Sequence, residues 1–335
     1  MAESIVLVGS ETLLGREVAD VFAGTSLGQN LRLTAGAVEE TGVLTEIGGA
    51  PAILSRLDPE DVVDAAAVIL AGPPKSSEDV LATKPSGVII DLTFVTEEDP
   101  ASRVRAPYLF AQDEDESGSE AEELSAGPQV SAHPAAIAIA AILRRLNTAF
   151  PITRSIVHIF EPASERGTPG IEELQQQTVN LLSFQPVPKK IFDTQIAFAL
   201  LPQLGEEAAT SLAAAEERIE RHLASLLERM DDVPMPSLRL IQAPVFHGTS
   251  FSFWIEFEEA PAASDLEEAM NREPFDVRTA DSEPPNNVGV AGQSGIAVGA
   301  IAPDRNSPSA FWMWAVIDNL RLAAENAALI AREVI

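Results

Sequence analysis

SIVLVGSETLLGREVADVF, residues Ser4–Phe22, passes from an apolar run through a glycine turn into a helical pattern, and this passage decides the fold. Ser4 to Val8 has no polar face, as in a strand buried on both sides of a parallel sheet. Gly9 and Gly15 are spaced as the outer pair of a Gly-x-x-Gly-x-x-Gly turn, where backbone N–H groups and a helix start meet a pyrophosphate. Thr12 stands at the middle position, and Glu11 adds a negative charge beside it. Leu31–Leu33, Asp64–Gly72 and Gly87–Asp91 read as further strands, with a helical stretch from Ser76 to Lys84 between the last two. Alternating units of this length imply a Rossmann-type, doubly wound parallel sheet. The segment after Leu33, through Glu39 and Glu40, lacks the arginine that would hold a 2′-phosphate, which favours NAD over NADP if a dinucleotide binds.

Further along, Gln129–Arg144 reads as a short approach followed by a buried helix whose first residue is Pro134; proline there costs no helix hydrogen bond. Ser131 and His133 are the polar side chains of that approach. Ile152–Phe160 is strand-like, Glu161–Gly170 a loop, Ile171–Leu182 helical, and Gly205–Met230 one long amphipathic helix. Strict alternation from Phe251 to Phe257 puts Phe251, Phe253, Ile255 and Phe257 on one strand face, within an antiparallel sheet covered either by helices of the same chain or by a second copy. Phe311–Ile335 reads as a C-terminal helix.

Composition narrows the function classes. Of 335 residues, 22 are Lys or Arg and 51 are Asp or Glu, a formal charge of −29 that repels a phosphate backbone or an anionic membrane. Nucleic-acid and membrane partners are therefore not expected, and the cytoplasm is the expected location. The acidic run Asp113–Glu123 reads as an exposed loop or disordered excursion, the sharper alternative being a calcium loop, whose ligand spacing and closing glutamate it does not match. Cysteine is absent, which removes disulfides, thiolate metal sites and any thiol nucleophile.

Four stretches together resemble the aspartate-semialdehyde dehydrogenase family: the turn Gly9–Gly15, Ile196-Ala-Phe-Ala-Leu-Leu-Pro-Gln203, Ala243-Pro-Val-Phe-His-Gly-Thr-Ser250, and Asp318-Asn-Leu-Arg-Leu322. The resemblance implies a Rossmann dinucleotide-binding-type domain at 1–131, an α/β catalytic and dimerisation domain with a mixed or antiparallel sheet at 132–310, and a helix at 311–335 packing back on the first domain. It also implies a homodimer and, for any NAD or NADP, contacts at Gly9, Glu11, Thr12, Leu13, Leu14, Gly15, Gly72 and Asn319.

In that family a cysteine attacks the aldehyde, a glutamine orients the thioester, an arginine holds the substrate carboxylate and a histidine is the acid/base. By the same resemblance these four positions carry Pro134, Glu161, Gln242 and Thr249, as in the family's Usg-like branch, which lacks the cysteine. His133 and His247 are candidates for a relocated acid/base, the alternative being hydrogen-bonded structural histidines. The expectation is a non-catalytic, dimeric binding or scaffold protein with an unknown small-molecule or protein partner. The alternative is an NAD(P)-dependent oxidoreductase acting on an aldehyde or oxo group without a covalent thioester, with Glu161 or His133 as proton donor. A third reading has the dimer face or the acidic loop engage a protein.

Overall fold

A computed structural model describes residues 4–36, 44–47, 50–111, 127–230, 232–279 and 281–335. The acidic run Asp113–Glu123 and the pair Glu39 and Glu40 lie outside the described residues. The chain divides into two compact units, Met1–Ala132 with Leu320–Ile335, and His133–Asn319.

The first unit contains β1 (Ile5–Val8), α1 (Leu13–Ala23), β2 (Leu31–Thr34), the hairpin β3 (Leu44–Ile47) and β4 (Ala50–Ile53), α2 (Pro59–Val63), β5 (Ala67–Leu70), α3 (Pro74–Ala82), β6 (Val88–Asp91), β7 (Arg103–Arg105) and β8 (Gln129–Ser131). Six strands form one sheet in the order β2-β1-β5-β6-β8-β7, and every pairing is parallel. Period-two alternation divides β1 between two cores. Ile5 and Leu7 join Val18 and Phe22 of α1 on one face, while Val6 and Val8 join Val62, Val68 and Val80 on the other. Both faces are covered, which is why Ser4–Val8 carries no polar alternation.

The second unit contains α4 (Pro134–Ala149), β9 (Ile152–Glu161), α5 (Gly167–Leu182), α6 (Leu212–Leu227), β10 (Ser237–Gln242), β11 (Thr249–Phe257), α7 (Ala263–Met270), β12 (Phe275–Arg278), β13 (Ile296–Pro303) and β14 (Ala310–Ile317). Its sheet is mixed, in the order β10-β9-β11-β14-β13-β12. Phe251, Phe253, Ile255 and Phe257 are buried within this single chain, so their cover is intramolecular. The opposite face is aromatic and only partly covered. Trp254 sits in register between Ile156 and Trp312, and Ser252 between His158 and Trp314. Ile156 and Trp312 are each 42% exposed.

Three sequence expectations need correction. Phe311–Ile317 is a strand, not the start of the last helix: it is rich in aromatic and β-branched residues, and it pairs with β11 on one side and β13 on the other. The helix α8 begins later, at Asn319, and runs to Val334. Its Ala323, Ala324, Ala327, Ile330 and Ala331 complete the first unit's core with Ile5, Leu7 and Phe22. The helix expected over Gly205–Met230 is confined to Leu212–Leu227 because Ser211 caps it, accepting the Ala214 N–H at 3.1 Å. The segment Glu161–Gly170 is not an open loop, since Ala163–Arg166 forms a 3₁₀ turn and α5 already starts at Gly167.

Candidate functional site

Gly9 and Gly72 end β1 and β5 in the first unit, at the point where strand order reverses from β1-β2 to β1-β5. Gly9 has φ +82°, and a Cβ there would lie 2.1 Å from the Gly72 Cα. A Cβ on Gly15 would lie 2.0 Å from the Gly9 carbonyl oxygen, so α1 reaches the turn only because glycine occupies this position. Thr12 caps α1: its hydroxyl accepts the Gly15 N–H at 2.9 Å and lies 2.8 Å from the carbonyl oxygens of Gly9 and Ala71. Leu13 and Leu14 open the helix behind it. Glu11 reaches the end of β2, where its carboxylate accepts the Gly36 N–H at 2.8 and 3.0 Å. The backbone cradle fits a dinucleotide pyrophosphate, and the carboxylate beside β2 suits ribose hydroxyls better than a 2′-phosphate.

The remaining candidates gather in the second unit. Pro134 is the first residue of α4, and the His133 Nδ1 accepts the Ala135 N–H at 3.2 Å. The His133 N–H donates to His222 Nδ1 of α6 at 3.0 Å. The helix start that would activate a nucleophile is thus capped by a side chain and headed by a residue with no reactive group.

Glu161 ends β9 with 2% exposure, and its carboxylate lies 2.8 Å from the Arg166 Nη2. Burial pushes its pKa up to about 7; the Arg166 charge opposes this rise and the nearby Glu165 adds to it. Burial likewise raises Glu165, against the opposing pull of Arg166, the Asn319 hydrogen bond and His247. Gln242 ends β10 in register with Glu161, and its Nε2 donates to the Glu161 and Ala243 carbonyl oxygens at 2.9 and 3.1 Å. Thr249, at the start of β11, is buried.

Sequence reading singles out His247, and Asp318 as the first residue of a motif, but not Ser164. The His247 Nδ1 lies 3.1 Å from the Ser164 Oγ, and the His247 Nε2 lies 2.9 Å from the Asp318 Oδ2. Asn319 donates from Nδ2 to Glu165 at 2.7 Å and to the Ser164 Oγ at 3.3 Å, while its Oδ1 accepts the Gly248 N–H. His133 Nε2 lies 3.9 Å from the Glu165 carboxylate. The fold therefore gathers Ser164, Glu165, His247, Asp318 and Asn319 into one network. Ser131 is held elsewhere, in the first unit, where its Oγ accepts from the Asn326 Nδ2 at 2.9 Å. Chemically, the second unit offers proton donors and acceptors, a hydroxyl and a buried cation, and no thiol. Among the described residues no group of three or more His, Asp or Glu side chains is placed to hold a metal ion, and no helix is long and apolar enough to cross a membrane.

Residues 143–322 match the family described as semialdehyde dehydrogenase, dimerisation domain. The chain is 31% identical over 204 residues to an aspartate-semialdehyde dehydrogenase of Rickettsia bellii, covering 60% of each chain. It is 34% identical over 175 residues to a USG-1 protein homolog of Pseudomonas aeruginosa, covering 51% of each. The match thus spans between half and three fifths of the length of these curated relatives. A solved structure of a probable aspartate-semialdehyde dehydrogenase from Pseudomonas aeruginosa superposes with a TM-score of 0.82, covering 99% of this chain and 98% of that one at 23% identity. At that identity the likeness concerns the fold.

Proposed function

The chain belongs to the semialdehyde dehydrogenase family, and on that premise we propose that it does not run thiol-dependent aldehyde oxidation and serves as a dimeric binding protein built on the family's fold. One observation carries this reading: the chain contains no cysteine, and the helix start that would present one begins with Pro134. A thiolate adds to the carbonyl, holds the acyl group as hydride leaves, and departs when the acyl group is transferred. Proline can do none of these. Gln242 and Thr249 supply neither a cation for a carboxylate nor an acid/base near neutral pH. The USG-1 homologue among its relatives and the half-covered aromatic face of the second unit's sheet agree with this reading. That face, with Ile156, Trp254 and Trp312 side by side, is the surface assigned here to the dimer. Incubation with aspartate semialdehyde, phosphate and NAD or NADP is expected to give no nicotinamide reduction above a no-protein control. Reduction that depends on the folded protein would overturn the reading.

A second reading is favoured by two features, the cradle that Gly9, Gly15 and Gly72 form in the first unit and Glu161, whose pKa of about 7 suits a proton donor. A bound NAD would supply hydride transfer; Glu161 would hold and release a proton, with Arg166 beside it favouring the carboxylate once the proton has left. Calorimetric titration separates the two readings. Saturable NAD binding followed by turnover in an aldehyde and ketone panel supports the second, and no binding at millimolar nucleotide supports the first.

A further inference from the structure

Ser164 stands on the turn between β9 and α5, the place in a strand–turn–helix unit where a nucleophilic hydroxyl is presented in other folds. The turn is tight: Pro162 enters it, Ala163–Arg166 is one 3₁₀ turn, and Gly167 leaves it at φ +63°. Three contacts then have the geometry of an activated hydroxyl. The base is within reach at 3.1 Å from Oγ to His247 Nδ1, and the orienting carboxylate at 2.9 Å from His247 Nε2 to Asp318 Oδ2. Asp318 is itself fixed, because Oδ2 accepts the Gly292 N–H at 2.7 Å. With the Nε2 proton committed to Asp318, Nδ1 is left as the acceptor for the Ser164 hydroxyl proton. The Asn319 amide holds the serine in place, with Nδ2 at 3.3 Å and Oδ1 at 3.4 Å from Oγ.

We propose that Ser164, His247 and Asp318 form a nucleophilic site that cleaves small carboxylic esters through an acyl-serine. Ser164 is 2% exposed whereas the His247 side chain is 25% exposed, so access runs past the imidazole and admits a short acyl group.

The steps balance. Oγ bonds to the carbonyl carbon as its proton passes to His247 Nδ1, and the carbonyl π pair moves onto the carbonyl oxygen. That pair returns, the C–O bond to the alcohol breaks, and the alcohol takes the proton from Nδ1. Water repeats the sequence on the acyl-serine, releasing the acid and restoring the Ser164 hydroxyl. No oxidant, cofactor or metal enters. This reaction is independent of the thioester route and of nucleotide binding, so its test does not depend on either reading above.

The test treats the folded, full chain with a fluorophosphonate reagent and locates the adduct by peptide mass spectrometry, alongside 4-nitrophenyl acetate hydrolysis. The expected result is one adduct, on Ser164, in the unmodified sequence. Its rate is expected to fall at least about 100-fold in His247→Gln and in Asp318→Asn, and ester hydrolysis to fall similarly in Ser164→Ala. Absence of an adduct on the folded, unmodified chain overturns the proposal without recourse to any variant. Labelling of Ser164 at an unchanged rate in a folded His247→Gln variant overturns it equally.

Discussion

Gln242 and Glu161 lie in register across the parallel pair β10–β9, and the Gln242 amide donates to the Glu161 carbonyl oxygen at 2.9 Å. Two neighbouring strand ends therefore carry, side by side, the residues standing where the family resemblance implies an arginine and a glutamine. The local charge pattern changes with them. Gln242 carries no charge, and Arg166, in the turn that follows β9, pairs with Glu161 at 2.8 Å.

Restoring the nucleophile alone is therefore expected to fail. Pro134→Cys places a thiol at the start of α4, where the helix N-terminus favours thiolate. Gln242 and Thr249 still supply no carboxylate clamp and no acid/base. Aspartate-semialdehyde oxidation by this variant is expected to stay at background in a nicotinamide absorbance assay, although the new thiol should titrate with a thiol reagent. Turnover from the single substitution would show that the other three positions are dispensable.

Stability should respond to pH through Glu161. Burial raises its folded pKa from 4.5 to about 7, so the folded state holds the proton more tightly than the unfolded state. The stabilising contribution is complete below about pH 4.5 and is lost as pH rises through about 7. Relative to Glu161→Gln, the unmodified protein is expected to lose stability across that window, by about 3 kcal/mol at 1.36 kcal/mol per pKa unit. Urea unfolding of both proteins at pH 5 and pH 8 measures this; a difference between them that is the same at both pH values refutes it.

Gly9→Ala is expected to cost about 2 kcal/mol or more, because the residue sits at φ +82° and the added Cβ would fall 2.1 Å from Gly72 Cα. The collision is with backbone, so no side-chain rotation relieves it. A lower chemical-denaturation midpoint, with loss of any NAD binding seen in the parent, is the expected pair of results.

Ile156→Glu tests the dimer face. Ile156 is 42% exposed in the single chain and lies beside Trp254, so a carboxylate there can be solvated in a monomer but not within an apolar contact. Sedimentation is expected to show a dimer for the parent and a monomer for the variant, with similar far-ultraviolet circular dichroism. A parent that sediments as a monomer at micromolar concentration would remove the dimer from the proposed function.

Much of the architecture was legible because it is written in local periodicity. Ser4–Phe22 shows a doubly buried strand, a glycine turn and a helix in nineteen consecutive letters, and Phe251–Phe257 shows its covered face directly. Phe311–Ile317 misled because a short apolar run carries no decisive period and adjoins a true helix; only pairing with β11 and β13 settles it. The network around His247 was legible only in part. Ser164, His247 and Asp318 come from three separate segments, a turn, a loop before β11 and the residue preceding α8, so no spacing connects them. Asp318 opens a motif, whereas Ser164 falls in a stretch without hydrophobic periodicity, and their common imidazole appears only in three dimensions.

The late arrival of α8 has a consequence for biosynthesis. The second unit is one uninterrupted stretch, His133–Asn319, and every strand and helix it needs has been made before Leu320 leaves the ribosome. The first unit begins earlier but finishes later, since Ile5, Leu7 and Phe22 share their core with Ala324, Ala327 and Ile330. Translation order and completion order are therefore inverted: the first unit waits, with one apolar flank uncovered, for α8. Termination before α8 would leave that flank open while the second unit stood complete, making the nascent first unit the natural client for a chaperone.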